Sequence, residues 1–438
     1  MHLAYTIVMY LLIPVILYRL ALRGFRAPAY FRRWPERFGF FPEPGFTSSI
    51  WIHAVSMGEV NAAIPLIRAL MKRYPEHQFV ITTVTPTGSE RVESVFGETV
   101  FHVYLPYDLP AAVRRFLDRT RPRLAVVMET EIWPNLFCAC RDRDIPIVVA
   151  NARLSERSLR GYRPVQGLAA TALNCSTRVG AQTQTDAQRL LRLGGEPAKI
   201  EVVGSLKFDL QLAPELPDLG RELRDHWGSD RFAFVAASTH EDDEVPVMKA
   251  FERLLETDPR ALLVLVPRHP ERFPRAAARC RSLGYETALR SEDINASPDT
   301  QCFVVDTMGE LLRFYAAADV AFVGGSLAYV GGHNVLEPAA LGLPVLVGPH
   351  TFNFSEITEL LLDRGGAERV HDADELATEL RLLRQDETRR RRMGDAAFTL
   401  VKENRGALQH TLRMIEEAFE PAATASPARP ERGVKSEK

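Results

Sequence analysis

Ala321-Phe-Val-Gly324-Gly325-Ser326-Leu-Ala-Tyr-Val-Gly331-Gly332-His333-Asn334-Val-Leu-Glu337-Pro-Ala-Ala-Leu-Gly342-Leu-Pro344-Val-Leu-Val347 is the stretch whose reading decides the fold. An apolar run of strand type stops at Gly324-Gly325, and a glycine-rich loop follows. Asn334-Val-Leu-Glu337 then has the N-cap and N3 residues of a capping box ahead of a short apolar helix. A second apolar strand starts at Leu343. Glycines let backbone N–H groups come close to a ligand, and a helix N-terminus adds partial positive charge. The unit therefore reads as a cradle for a phosphate or nucleotide. The alternative is a plain strand-loop-helix whose glycines serve only its turns.

The same strand-helix alternation extends in both directions. Upstream, strands are expected at Ile50–Ser56, Gln78–Val84, Val100–Leu105, Arg123–Met128, Ile145–Ala150, Val179–Gln182 and Ile200–Val203. Leu212-Ala-Pro-Glu-Leu-Pro-Asp-Leu-Gly220 is broken by prolines and reads as a linker. Beyond it, strands are expected at Phe232–Ser238, Ala261–Val266 and Cys302–Asp306, then in the opening stretch. Near-continuous apolar strands spaced by helices mean parallel sheets covered on both faces. The expected class is α/β, with two Rossmann-like domains facing across a cleft. The expected divisions are a membrane anchor helix over 1–22, a basic-aromatic connector over 23–48, an acceptor domain over 49–211, a linker over 212–220, a donor domain over 221–420 and a disordered tail over 421–438.

Composition narrows the function classes. With 438 residues, two cores are expected. A formal net charge of −2 lacks the basic excess of a general nucleic-acid binder. The five cysteines lie in apolar or helical runs with no CxxC pair, so neither a disulfide framework nor structural zinc is expected. The N-terminus is uncharged between His2 and Arg19, and its apolar length is nearly the roughly 20 residues a bilayer span needs. Arg19, Arg23, Arg26, Arg32, Arg33 and Arg37 follow it almost without acids. This reads as an uncleaved anchor with the positive flank, and so the body, on the cytoplasmic side. The alternative is a buried or surface-lying helix kinked at Pro14. The connector's aromatics among arginines suit an interfacial belt or, equally, a segment packed on the next domain.

In open α/β sheets ligands sit at the carboxyl ends of strands, and the unusual residue runs fall there. No GxGxxG follows the first strand of either half and no GxxxxGK[ST] loop is present, which disfavours dinucleotides and triphosphate hydrolysis. His240 with the acids after it reads as the capped start of a helix in preference to a metal site. Glu59 is either a first-turn acid or a base for an acceptor hydroxyl. Glu129 and Glu131 are either solvated acids or hydroxyl-binding groups. Lys207 and Arg268 can each meet a phosphate or carboxylate, Arg268 as a fork. Glu310 and Glu337 can accept from ribose hydroxyls, and for Glu337 capping is compatible with that role.

Taken in order, Trp51-Ile-His-Ala-Val-Ser-Met-Gly-Glu59, Glu129-Thr-Glu-Ile-Trp-Pro-Asn135, Asn151-Ala-Arg-Leu-Ser155, Gly204-Ser-Leu-Lys-Phe-Asp209, Pro267-Arg-His-Pro270 and Gly331-Gly-His-Asn-Val-Leu-Glu-Pro338 closely resemble the 3-deoxy-D-manno-octulosonic acid (Kdo) transferases of lipid A biosynthesis. The resemblance runs from about Tyr5 to Phe419. It implies a GT-B glycosyltransferase, anchored in the inner membrane, that moves Kdo from CMP-Kdo to a lipid A precursor (lipid IVA) with inversion, without a metal or cofactor. It implies Glu59 as general base. A carboxylate of the Glu129/Glu131 pair, with Glu131 preferred, and Lys207 would stabilise the transition state. Pro267, Arg268, Met308, Gly309, Glu310, Asn334, Val335, Leu336 and Glu337 would bind CMP. Met57 stands where a small apolar residue is usual in the family. Two other readings stay open: another GT-B enzyme, such as a UDP-sugar transferase or 2-epimerase, and a non-catalytic membrane-attached nucleotide-sugar binder.

Overall fold

The computed structural model describes residues 2–26, 28–210, 212–292 and 296–419. The tail expected over 421–438 lies outside the described residues. The chain divides into two compact units. The first takes in residues up to Asp209 together with the segment from Arg405 onward, and the second spans Leu210–Asn404.

The first unit is built on a parallel sheet of β1 (Ser49–His53), β2 (Gln78–Thr83), β3 (Phe101–Tyr104), β4 (Pro122–Met128), β5 (Ile147–Ala152), β6 (Arg178–Ala181) and β7 (Ile200–Val202). Their spatial order is β3-β2-β1-β4-β5-β6-β7. β1 is buried along its whole length because helices cover both faces. Trp51 faces one apolar cluster with Phe116 and Val127, while Ile50 and Ile52 face another with Leu66 and Ile81. Burial on both faces is what a continuous apolar strand needs, and what fixes its place at the centre of a parallel sheet.

The second unit repeats the plan with β8 (Ala233–Thr239), β9 (Leu262–Pro267), β10 (Thr287–Leu289), β11 (Cys302–Val304), β12 (Val320–Val323), β13 (Val345–Val347) and β14 (Ala367–Arg369). Its order is β10-β11-β9-β8-β12-β13-β14, again parallel. The two outermost strands, β10 and β14, have no counterpart in the strands expected from sequence. Each is three residues long and only partly buried, so neither leaves a continuous apolar run.

Three segments depart from expectation. The proline-broken linker of 212–220 is half helix. Leu216–Trp227 is helical with Pro217 in the first turn, where a missing N–H costs nothing. The last helix, Ala407–Phe419, was expected in the donor domain but packs on the first unit. Its Met414, Ile415 and Ala418 join the cluster under β1 and β5. Asp209 ties it down by accepting from the Gly406 and Leu408 amides at 2.7 and 2.6 Å. The single anchor helix of 1–22 is two helices, His2–Leu11 and Ile13–Arg26, bent by 51°. Pro14, in the first turn of the second helix, explains the break: it has no N–H to donate to the Tyr10 carbonyl, and its ring crowds that carbonyl.

Among the described residues no single helix is long and apolar enough to cross a membrane, although that bent pair together passes by length and composition. One side of the pair is tethered to the first unit: Tyr5 Oη donates to Asp108 at 2.9 Å and Thr6 to Asn135 at 2.8 Å. Leu3, Ile7, Val8, Leu11, Val15 and Leu22 are exposed. The connector is packed on its own unit. Arg37 is buried, donates to the Val84 carbonyl and lies over the Tyr104 ring. Arg33 reaches His102, and Arg115 holds the Phe38 carbonyl.

Candidate active site

Three carboxylates gather at the carboxyl ends of β1 and β4, which are neighbours in the first sheet. Glu59 lies in the first turn of the helix Met57–Arg73. Its Oε2 accepts from the Val55 amide at 2.8 Å and its Oε1 from Ser56 Oγ at 3.4 Å. Burial pushes its pKa up to about 8, and repulsion from Glu129 and Glu131 adds to the rise against the two hydrogen bonds. Burial, with Glu129 beside it, also pushes Glu131 up to about 6. The first-turn position of Glu59 does suit the helix dipole. Yet a carboxyl held protonated to about pH 8 is placed to exchange a proton near neutral pH.

The backbone around the pair is specialised. Glu129 sits at φ 57°, in the left-handed region that side chains rarely enter, immediately past the last residue of β4. Asn151, near the end of β5, sits at φ 57° as well. Such strain clusters where a function over-determines the geometry. Thr130 and Arg153 exchange hydrogen bonds, stitching the two strand ends together. Asn151 Oδ1 accepts from the Leu206 amide at 3.1 Å, which draws the turn Leu206–Phe208 to the same edge. Lys207 is in that turn, half-buried and without an ion-pair partner among the described residues.

In the second unit, Arg268 follows β9, and its amide donates to the Thr239 carbonyl at 3.0 Å. Its guanidinium acts on both Glu337 and His333. Burial raises the pKa of Glu337, while an Asn334 side-chain hydrogen bond of 3.0 Å and Arg268 hold the rise back. Pro267 and Arg268 thus lie at the end of β9, and Asn334, Val335, Leu336 and Glu337 follow β12, the two strands that flank β8. Glu310, past β11, is committed elsewhere. Arg290 binds it at 2.7 and 3.1 Å, Thr307 donates to it, and the Arg290 hydrogen bond lowers its pKa. Its neighbour Met308 is exposed and Gly309 takes φ 88°.

The glycine loop works differently from a cradle of free amides. The Gly325, Leu327 and Ala328 amides all donate to Asp243, at 2.7, 3.1 and 2.8 Å, and Asp243 also accepts from His240 N at 2.9 Å. Gly331 N and Gly332 N donate to the Gly325 carbonyl. These N–H groups are consumed inside the loop. A Cβ on Gly324 would lie 2.6 Å from the Ser238 carbonyl, so that glycine serves close packing. A Cβ on Gly325, which sits at φ 69°, would lie 3.0 Å from the His333 ring. The expected capping box is altered too. Asn334 Oδ1 accepts from Leu336 N at 3.1 Å, but Glu337 takes the Asn334 side-chain amide in place of the Asn334 backbone. The loop presents side chains, His333 and Asn334, in place of backbone.

From sequence Asp243 is one of the acids that suit a helix dipole, whereas three of its four amide partners come from distant positions. The pairing of His240 with His333 was equally hidden. Among the described residues, no group of three or more His, Cys, Asp or Glu side chains is arranged to hold a metal ion.

Residues 32–210 match the family model described as 3-deoxy-D-manno-octulosonic-acid transferase (kdotransferase), and residues 228–399 match that of glycosyl transferases group 1. A 3-deoxy-D-manno-octulosonic acid transferase of Haemophilus influenzae is 41% identical over 95% of this chain and 98% of its own. One of Bordetella pertussis is 37% identical over 91% of this chain and 98% of its own. A UDP-GlcNAc 2-epimerase from Neisseria meningitidis, solved with UDP-GlcNAc bound, superposes with a TM-score of 0.52 at 14% identity, covering 86% of this chain and all of that one. That likeness bears on the fold alone, which is of the GT-B class.

Proposed function

The chain belongs to the Kdo transferase family of glycosyltransferases, and from that premise we propose that it transfers Kdo from CMP-Kdo to a lipid A precursor, lipid IVA, by a single inverting displacement. The observation that carries the mechanism is Glu59, a half-buried carboxyl at a strand end whose pKa is lifted to about 8. In this reading Glu59 takes the proton of the attacking acceptor hydroxyl. Glu131, Glu129 and Lys207 balance charge as the sugar passes between oxygens.

The second unit holds the nucleotide. Arg268 meets the phosphate as a fork. Asn334 and Glu337, with the Pro267 and Val335-Leu336 backbone, hold the cytidine. Met308, Gly309 and Glu310 complete that half once Glu310 shares Arg290 with the ligand. The resemblance calls for no metal, and Arg268 supplies the positive charge that a departing phosphate needs. The exposed apolar side of the N-terminal helices, with its basic flank, suits attachment to the inner membrane with the body on the cytoplasmic side.

The test is transfer in vitro with CMP-Kdo and lipid IVA, read by product mass and by the anomeric configuration of the product. A gain of one or more Kdo units with inversion is the expected result. Calorimetry that finds UDP bound and CMP ignored would overturn the donor assignment. Absence of turnover with both substrates bound would favour a binding role.

A further inference from the structure

His240 and His333 are 93 positions apart, yet their rings lie parallel within 5°, with centroids 5.2 Å apart and Nε2 atoms 2.9 Å apart. That distance requires a proton between them: one Nε2 donates and the other accepts. The pair is held rigidly. His240 is fixed at the start of the helix Glu241–Leu255 through the Asp243 hydrogen bond to its amide, and Asp243 clamps the loop that carries His333. His269 stands edge-on to His240 at 5.3 Å. The Thr239 hydroxyl beside them is fully buried and has no hydrogen-bond partner among the described residues.

Charge around the pair is mostly positive. Arg268, His269 and Arg272 face His240, opposed by Asp243, while Arg268 and His269 face His333. Arg272 is neutralised by Glu241 and by Glu244 at 2.7 Å, and Arg268 has Glu337 on its other side. Burial and these cations keep His333 down at about 4 and lower His240 as well. The empty pair is therefore neutral at pH 7. It can accept one proton, because an imidazolium donating to its neighbour gains a charge-assisted hydrogen bond. A second proton would set two N–H groups head to head.

We propose that the His240–His333 pair is a one-proton acceptor that takes up a proton from solvent when the phosphate beside Arg268 is a dianion, and so meets the charge the phosphate gains on leaving. This rests on the donor reading above. As the sugar–phosphate bond breaks, its electron pair goes to the phosphate oxygen, and the monoanionic diester becomes a dianionic monoester. The added negative charge is what makes the protonated pair favourable.

The test is calorimetric titration of the full chain with CMP at pH 7.5, in buffers of different ionisation enthalpy, where the CMP phosphate is already almost wholly a dianion. The expected result is uptake of about one proton per CMP bound. Uptake should fall to near zero in His333→Gln and His240→Asn, and CMP affinity should weaken about ten-fold and lose its pH dependence. Imidazole nitrogen shifts of the unsubstituted protein, followed by NMR with and without CMP, give the same answer if a variant fails to fold. CMP binding without uptake would overturn the pair's role and leave the donor reading intact. Uptake with UMP and none with CMP would uphold the pair and overturn the cytidine donor. Binding of neither nucleotide would overturn the pair.

Discussion

The two units share one architecture and carry opposite chemistry at their strand ends. In the first, β1 and β4 end in Glu59, Glu129 and Glu131; in the second, β8, β9 and β12 lead into His240, Arg268, His269 and His333. Burial is the largest influence in both, and it drives the two sets toward neutrality from opposite sides. Glu59 is pushed up to about 8, while His333 is pushed down to about 4. Like charges reinforce it in each place, acids beside Glu59 and cations beside the histidines. A doubly wound sheet thus supplies positions, and the residues at its loops decide whether a position gathers acids or cations.

Breaking the acidic side should have the largest effect. Glu59→Ala is expected to cut transfer by about 10²-fold or more while CMP-Kdo binding persists, because only the proton acceptor is lost. Transfer assays beside donor calorimetry check this, and near-normal transfer would end the base assignment. Stability should move the other way. A carboxyl with a folded pKa near 8 and an ordinary value of 4.5 makes the folded state bind more protons than the unfolded one between those pH values. The parent loses that contribution as pH rises through the window. Glu59→Gln should therefore melt above the parent at pH 8, with the difference closing toward pH 4.5.

The second side contains a buried acid with a structural task. Asp243 accepts four backbone amides and so holds the loop. Asp243→Asn replaces an acceptor oxygen by an NH₂ facing donors, so a loss of about 2–3 kcal/mol is expected in denaturant unfolding. An amide in place of the acid should stabilise at position 59 and destabilise at position 243, and equal signs would break the contrast. Arg268→Lys is a milder cut. It keeps the charge but loses the fork, so the KM for donor should rise about ten-fold with kcat less affected.

The legible parts were those written in local pattern. All seven strands of the first sheet could be read from apolar runs between helices; the central ones, buried on both faces, leave no polar alternation to confuse them. Glu59, Glu131, Lys207 and Arg268 were legible as unusual residues at strand ends. What escaped depends on distance in the chain. His240 cannot announce His333, nor Asp243 the amides of Gly325 and Ala328. The glycine loop looked like a cradle because glycine spacing does not say where the N–H groups point. The last helix is amphipathic like any other, and only Asp209 and the cluster around Met414 show which sheet it covers.

The smallest effect sharpens the comparison most, because it separates burial from like-charge repulsion. Glu129 is the larger of the two repulsive influences on Glu59. Glu129→Gln removes its charge and retains its length at the strained φ of 57°. If the ionised form of Glu59 is the base, kcat/KM should rise with pH through a midpoint near 8 in the parent and level off above it. Without the neighbouring charge, ionisation becomes easier and the midpoint should move to lower pH by a fraction of a unit. Glu131→Gln should move it the same way and less. Burial remains in both variants, so neither midpoint should fall to the ordinary value of 4.5. A pH–rate profile whose midpoint stays fixed in both would mean that burial alone sets Glu59, and that the clustering of acids has another purpose.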